Sequence, residues 1–132
     1  MKILVAEDDF TSRKIVRTIL EPFGDCDFAV DGVEALDAFR AASKDGEPYQ
    51  LICLDINMPK LSGLEVLKQI REIEEGCGVG GLDGVKVIMT TGSGDKKSIL
   101  GAFKAGCEAY IVKPIDREKL LGLVAELGIA KS

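Results

Sequence analysis

Leu51-Ile52-Cys53-Leu54-Asp55 is four apolar residues closed by an acid, and Ile56-Asn57-Met58-Pro59 follows at once. A run this short and this apolar is the pattern of a strand buried on both faces of a parallel sheet. Asn57 and Pro59 break the chain directly after it, so Asp55 stands at the carboxyl end of the strand. The same pattern recurs on both sides of this stretch. Lys2–Ala6, Cys26–Val30, Val85–Thr90 and Ala109–Val112 read as four further strands, and the more polar Cys26–Val30 is placed at an edge.

A helical segment follows each strand. In Asp9–Phe23, Ile15, Val16, Ile19 and Leu20 form a stripe at helical spacing; Thr11 or Asp9 is available as N-cap, and Pro22-Phe23-Gly24 closes the segment. The others are Val33–Ser43, a helix running from the Ser62 cap through Leu64, Leu67, Ile70 and Ile73, Asp95–Ala105 ended by Gly106, and Asp116–Leu127. Five strand–helix pairs in 132 residues predict one α/β domain, 1–132: a doubly wound, five-stranded parallel sheet with right-handed crossovers.

Composition removes several classes of function. Hydrophobic residues at 46% and charged residues at 30% suit a globular domain with a real core. No apolar run approaches the roughly 20 residues that span a membrane, and Met1-Lys2 leads straight into a strand, so a soluble cytoplasmic protein without membrane insertion is expected. The net charge of -5 argues against nonspecific nucleic-acid binding, which needs a basic surface. Cys26, Cys53, Cys77 and Cys107 are scattered with no CxxC pair, and the chain has no histidine. Zinc sites, redox dithiols and Ser-His or Cys-His nucleophiles are therefore out of reach. Carboxylates, hydroxyls, lysine or a bound metal must carry any chemistry.

One stretch breaks the economy of the pattern. Residues 76–84, GCGVGGLDG, contain GxGxxG at Gly76, Gly78 and Gly81. A dinucleotide site needs that motif after a strand and opening a helix. Here it follows a helix and precedes a strand, so it reads as a glycine-rich loop insert rather than a nucleotide cradle.

In open parallel sheets, ligands bind outside the carboxyl ends of the strands. Those ends carry Glu7-Asp8-Asp9, Asp55, Thr90-Thr91 and Lys113. One acid there could simply cap a helix; acids, hydroxyl and lysine from four strand ends on one edge are a sharper signal. Clustered carboxylates repel and call for a cation. An oxygen-only ligand set suits Mg²⁺, which takes one or two carboxylates and bridges to phosphate. The inferred site is Mg²⁺ plus a phosphoryl group, with a carboxylate as nucleophile and lysine and hydroxyl holding the transferred oxygens.

Asp8-Asp9, Asp55 in LDINMP, Thr91 in MTTG and Lys113-Pro114 in AYIVKP together resemble the response regulator receiver domain, the CheY-like module of two-component signalling and phosphorelays. The likeness runs from Lys2 to about Leu127. It implies a flavodoxin-like (βα)5 sheet of order 2-1-3-4-5. It implies Asp55 as phosphoacceptor, fed by a phosphohistidine on a sensor histidine kinase or phosphotransfer protein. Asp9 and Asp55 would bind Mg²⁺ directly, Asp8 largely through water, and Asn57 through its backbone carbonyl. Lys113, joined to Pro114 by a cis bond, would contact a phosphoryl oxygen. Thr91 would swing toward the phosphate and Tyr110 rotate inward, shifting the surface of the fourth helix, fifth strand and fifth helix toward a downstream protein target. Small Gly92 would leave the phosphate accessible. Such a domain is no enzyme toward other substrates and catalyses only its own phosphorylation and dephosphorylation. The stretch ends shortly after the last helix, so no effector domain is expected on it. Output is then by protein contact, a phosphorylation-dependent dimer included, or through a domain outside this stretch. Arg13, Lys14 and Arg17 on the first helix read equally as a phosphodonor docking face and as a solvated one.

Other classes fit less well. Haloacid-dehalogenase-like phosphatases carry DxD after the first strand, whereas here the acid with the right neighbours follows the third and Asn57 takes the second position. A flavodoxin-like flavin carrier needs a Ser/Thr-rich phosphate loop, where Glu7-Asp8-Asp9 would repel a phosphate lacking a metal. A purely interacting, unphosphorylated receiver leaves a complete set of site residues without a task.

Overall fold

A computed structural model of the chain describes residues 1–79, 84–92 and 96–131. Its elements are β1 (Lys2–Ala6), α1 (Phe10–Leu20), a short 3₁₀ turn (Glu21–Phe23), β2 (Asp25–Ala29), α2 (Gly32–Lys44), β3 (Leu51–Asp55), α3 (Gly63–Gly76), β4 (Lys86–Thr91), α4 (Lys96–Ala105), β5 (Ala109–Val112) and α5 (Arg117–Glu126). All four strand pairings are parallel and the order is β2-β1-β3-β4-β5, as the sequence reading expects. Two strands shift by one residue from the expected bounds: β2 moves toward the N-terminus, and β4 moves toward the C-terminus and takes in Thr91.

Period-two alternation along the strands builds two cores, one on each side of the sheet. Leu4, Ala6, Ile52, Leu54, Val87 and Met89 face α2 and α3, where Leu36, Phe39, Val66, Leu67 and Ile70 meet them. The intervening Ile3, Val5, Leu51, Cys53, Ile88 and Ile111 face α1 and α5, against Val16, Ile19, Leu20, Leu120 and Val124. β3 lies at the centre and is buried at all five positions, which is why its sequence is unbroken by polar residues until Asp55. Full burial of each large aliphatic side chain contributes roughly 1.5–3 kcal/mol.

Polar residues set where the helices begin. Asp9 accepts from the Ser12 N–H at 2.8 Å, Asp31 from Glu34 at 2.8 Å, Ser62 from Glu65 at 3.3 Å and Asp116 from Lys119 at 3.3 Å. Each satisfies an N–H that has no partner inside its own helix. The glycines of the insert are accounted for in part by the opposite end of α3. Gly78 takes a φ of 77°, the Gly78 N–H donates to the Glu75 carbonyl at 3.1 Å, and the Val79 N–H donates to the Glu74 carbonyl at 2.8 Å. Gly76 and Gly78 thus terminate a helix, with Gly78 in the left-handed conformation such stops favour. Gly81, and Asp95 at the expected start of the fourth helix, lie outside the described residues. Among the described residues, no helix is long and apolar enough to cross a membrane.

Candidate functional site

Sheet register places the site. Ala6 pairs with Leu54, Asp55 with Thr90 and Thr91 with Val112, so the strands end nearly level. The ladder continues past each strand: the Glu7 N–H donates to Ala29 O at 2.9 Å, Ile56 to Thr90 O at 2.9 Å, and Lys113 to Thr91 O at 2.7 Å. Glu7, Asp55, Thr91 and Lys113 are therefore held by sheet hydrogen bonds, not by mobile loops.

The side chains converge. Lys113 Nζ donates to Asp55 Oδ2 at 3.0 Å and also pairs closely with Glu7 Oε1. The Asn57 N–H donates to Asp55 Oδ1 at 3.1 Å, and the Asp9 N–H to Glu7 Oε2 at 3.2 Å. Glu7 and Asp55 are each only 3% exposed, whereas Asp8 lies open to solvent. Burial pushes the Glu7 carboxyl above its ordinary pKa, against the pull of its bond from Lys113. Burial disfavours the charge on Lys113 as well, but the hydrogen bonds it donates to Glu7 and Asp55 outweigh it, so Lys113 is raised and stays cationic. The Lys113–Pro114 bond is cis, as expected.

Glycine is required at one position here. A Cβ on Gly63 would lie 2.0 Å from the carbonyl oxygen of Asp55, and the Gly63 N–H donates to Ile56 O at 2.8 Å. The first turn of α3 is thereby pressed against the loop that carries Asp55.

The acidic group differs from the expected one in one member. Glu7, Asp8 and Asp55 each offer a carboxylate oxygen, and these oxygens lie within 4.8 Å of one another. Asp9, expected as a direct Mg²⁺ ligand, instead caps α1. Its backbone bond from Ser12 holds the carboxyl below the usual range. The reason is the position of the turn: β1 ends at Ala6 and α1 begins at Phe10, so the third acid of Glu7-Asp8-Asp9 falls on the N-cap. Glu7, which the sequence reading left without a role, takes its place beside Asp55. Thr91 is buried at the end of β4. Asn57 is exposed just past Asp55, and space is open where a Cβ would stand on Gly92. Tyr110 is half-buried, its ring edge-on to Phe103 at 5.7 Å and 85°.

Two buried carboxylates and one open to water, with a lysine at hand, form an oxygen donor set that fits a hard divalent cation retaining part of its hydration. Glu7, Asp8 and Asp55 are the groups placed to hold one.

The family model for the response regulator receiver domain matches residues 3–125. The chain belongs to that family. Its fold is CheY-like. A chemotaxis protein CheY homolog of Campylobacter jejuni is 34% identical over 122 residues, covering 91% of this chain and 86% of that protein. Hybrid signal transduction histidine kinase I of Dictyostelium discoideum is 39% identical over 131 residues, and this receiver domain spans 98% of its own length but only 7% of that relative. Among solved structures, a chain of the CheX–CheY–BeF3–Mg complex from Borrelia burgdorferi superposes with a TM-score of 0.82 at 27% identity, covering 98% of this chain and 90% of that one. A chain from the Saccharomyces cerevisiae complex of histidine phosphotransfer protein Ypd1 with the Ssk1 receiver domain gives 0.80 at 28% identity, covering 97% and 88%. This receiver domain is thus a module of two-component or phosphorelay signalling with an acidic pocket at its strand ends.

Proposed function

We propose that this receiver domain accepts a phosphoryl group on Asp55, with Mg²⁺, and passes the signal on by protein contact. The observation that carries this is the placement of Asp55, Glu7, Asp8 and Lys113 within one pocket. An Asp55 carboxylate oxygen forms the new bond to phosphorus while the bond to the donor atom breaks, its electron pair leaving with the donor. That donor atom is the imidazole nitrogen of a phosphohistidine on a sensor kinase or phosphotransfer protein. Lys113, 3.0 Å from Asp55 Oδ2, is in reach of a phosphoryl oxygen carried there. Glu7, Asp8, Asp55 and the Asn57 carbonyl would hold the Mg²⁺, which would supply positive charge to offset that on the transferred oxygens. Gly92 leaves the entrance open, and hydrolysis of the aspartyl phosphate by water resets the domain. The protein catalyses these two steps on itself and on no other substrate.

Two exposed apolar surfaces suit the partners. Phe10 is 67% exposed beside the pocket, with the Arg13 guanidinium 5.6 Å from its ring and bonded to the Glu7 carbonyl at 3.0 Å. This is a fitting approach for the phosphodonor. Leu100, Phe103 and Val112 expose apolar surface on α4 and β5 around Tyr110, which is where a downstream target or a second copy would bind when Thr91 and Tyr110 shift. The test is incubation with acetyl phosphate and Mg²⁺ followed by intact mass. One base-labile phosphoryl adduct, absent in Asp55→Asn, is expected; an unchanged mass overturns the proposal.

A further inference from the structure

The end of the sheet opposite the pocket carries a second polar assembly, centred on Arg71 of α3. Its guanidinium donates to Glu74 Oε1 at 2.7 Å, to the Val85 carbonyl at 2.9 Å, to the Gly106 carbonyl at 2.8 and 3.0 Å, and to Glu108 Oε1 at 2.8 Å. The two acids are themselves used twice. Glu74 Oε2 accepts the Val85 N–H at 2.7 Å, and Glu108 Oε2 accepts the Val87 N–H at 2.9 Å. One side chain thus ties the last turns of α3 to the entry of β4, to the residue that ends α4 and to the residue that leads into β5. Charge-assisted, forked contacts of this kind fix geometry as well as add energy.

α4 is held very differently along its length. Ala102 is its only fully buried side chain among the described residues, while Leu100 and Phe103 are exposed. Its C-terminal end is closed by the Gly106 N–H on Phe103 O at 3.1 Å and the Cys107 N–H on Ala102 O at 3.2 Å. Gly106 sits at a φ of 106°, and a Cβ there would meet the Arg71 side chain at 3.2 Å. The helix therefore has its C-terminal end gripped by Arg71 and, among the described residues, a body resting on little buried surface.

From this we infer that Arg71 is a positioning residue for the switch: it pins the C-terminal end of α4 so that a change at Thr91 and Tyr110 is delivered as a swing of the rest of the helix about Gly106. The inference rests on the phosphorylation-switch reading above. A rigid element fixed at one end converts a small displacement into a directed one, whereas an element free at both ends spreads it.

Hydrogen exchange of the full chain, with and without Mg²⁺ and beryllofluoride as the aspartyl phosphate mimic, tests it. In the wild type, beryllofluoride should change exchange of α4 amides before residue 104 and leave Gly106 and Cys107 as they were. In Arg71→Met, Gly106 and Cys107 should exchange at least tenfold faster in the unligated chain, and the beryllofluoride response should extend to them, with Arg71→Lys intermediate. The rate of Asp55 phosphorylation by acetyl phosphate should stay within twofold, since the pocket lies at the other edge of the sheet. Glu108→Gln, which leaves Arg71 its carbonyl partners and Glu74, should show the same pattern at roughly threefold and serves if Arg71→Met does not fold. Unaltered exchange at Gly106 and Cys107 in these variants overturns the inference, as does a loss of Asp55 phosphorylation that parallels the exchange. A wild type that takes no phosphoryl group fails the switch reading instead, and the clamp still stands or falls on α4 exchange in the unligated variants.

Discussion

Replacing Lys113 by Met should destabilise the metal-free domain in a pH-dependent manner. Lys113 bridges two carboxylates that are each 3% exposed. Without it, Glu7 keeps only the Asp9 N–H and Asp55 only the Asn57 N–H among their described partners, and the two acids face each other. Two charge-assisted hydrogen bonds are lost, at roughly 1.5–3 kcal/mol apiece. Relief of the desolvation of Lys113 offsets part of this, and truncating one member of a buried ion pair generally costs about 3–5 kcal/mol. In a chain of this size that is a fall in melting temperature of roughly 10–20 °C near pH 8. The pH dependence follows from Glu7, whose folded-state pKa already lies above its ordinary 4.5 because of burial. A carboxyl raised on folding favours the folded state below its unfolded pKa, and that contribution is lost as pH rises through the folded value. Losing the lysine raises Glu7 further, so the deficit of the variant should shrink as pH falls toward 5. Thermal melts of both proteins from pH 5 to 8 in chelator check this. A loss of under 1 kcal/mol at pH 8, or a deficit that grows on acidification, refutes the electrostatic account of the pocket.

Mg²⁺ should raise the melting temperature of the wild type, by about 1.4 kcal/mol of added stability at a tenfold excess over its dissociation constant; no shift in millimolar Mg²⁺ counts against the metal site. Asp8→Asn should raise the metal-free melting temperature by relieving repulsion and abolish the Mg²⁺ response. Asp9→Ala should lower the melting temperature slightly and leave that response intact; because the cap depresses the Asp9 pKa, the loss should be present near neutral pH and vanish as pH drops below the ordinary carboxylate range. Gly63→Ala forces a Cβ against the Asp55 carbonyl and should cost about 3 kcal/mol while slowing phosphorylation, readable by urea unfolding and intact mass.

Much of this is legible in the sequence alone. β1 falls on the residues that periodicity assigns, and β3 ends on Asp55, because central parallel strands are marked by nearly pure apolar runs. The polar edge strand carries a weaker pattern, and its bounds shift by one residue. Asp55, Asp8, Thr91 and Lys113 were visible because four strand ends deliver them to one edge. Glu7 was missed because three acids in a row give composition no means of choosing which two face the pocket. The usable signal was Asp9 three residues before Ser12, a helix start that removes Asp9 from the strand end. Arg71 left almost no trace. On an amphipathic helix it reads as a solvated residue, and apart from Glu74 one turn on, its partners come from the segments around Val85, Gly106 and Glu108, which only the closed sheet brings within reach.

The central claim is that the phosphoryl group resides on Asp55 and on no other acid of the pocket. Borohydride reduction after phosphorylation by acetyl phosphate in Mg²⁺ converts an aspartyl phosphate to homoserine, which peptide mass mapping locates. Homoserine at position 55 and at neither 8 nor 9, with none in Asp55→Asn, is the expected result. Homoserine elsewhere, or none in a folded wild-type protein, contradicts the account.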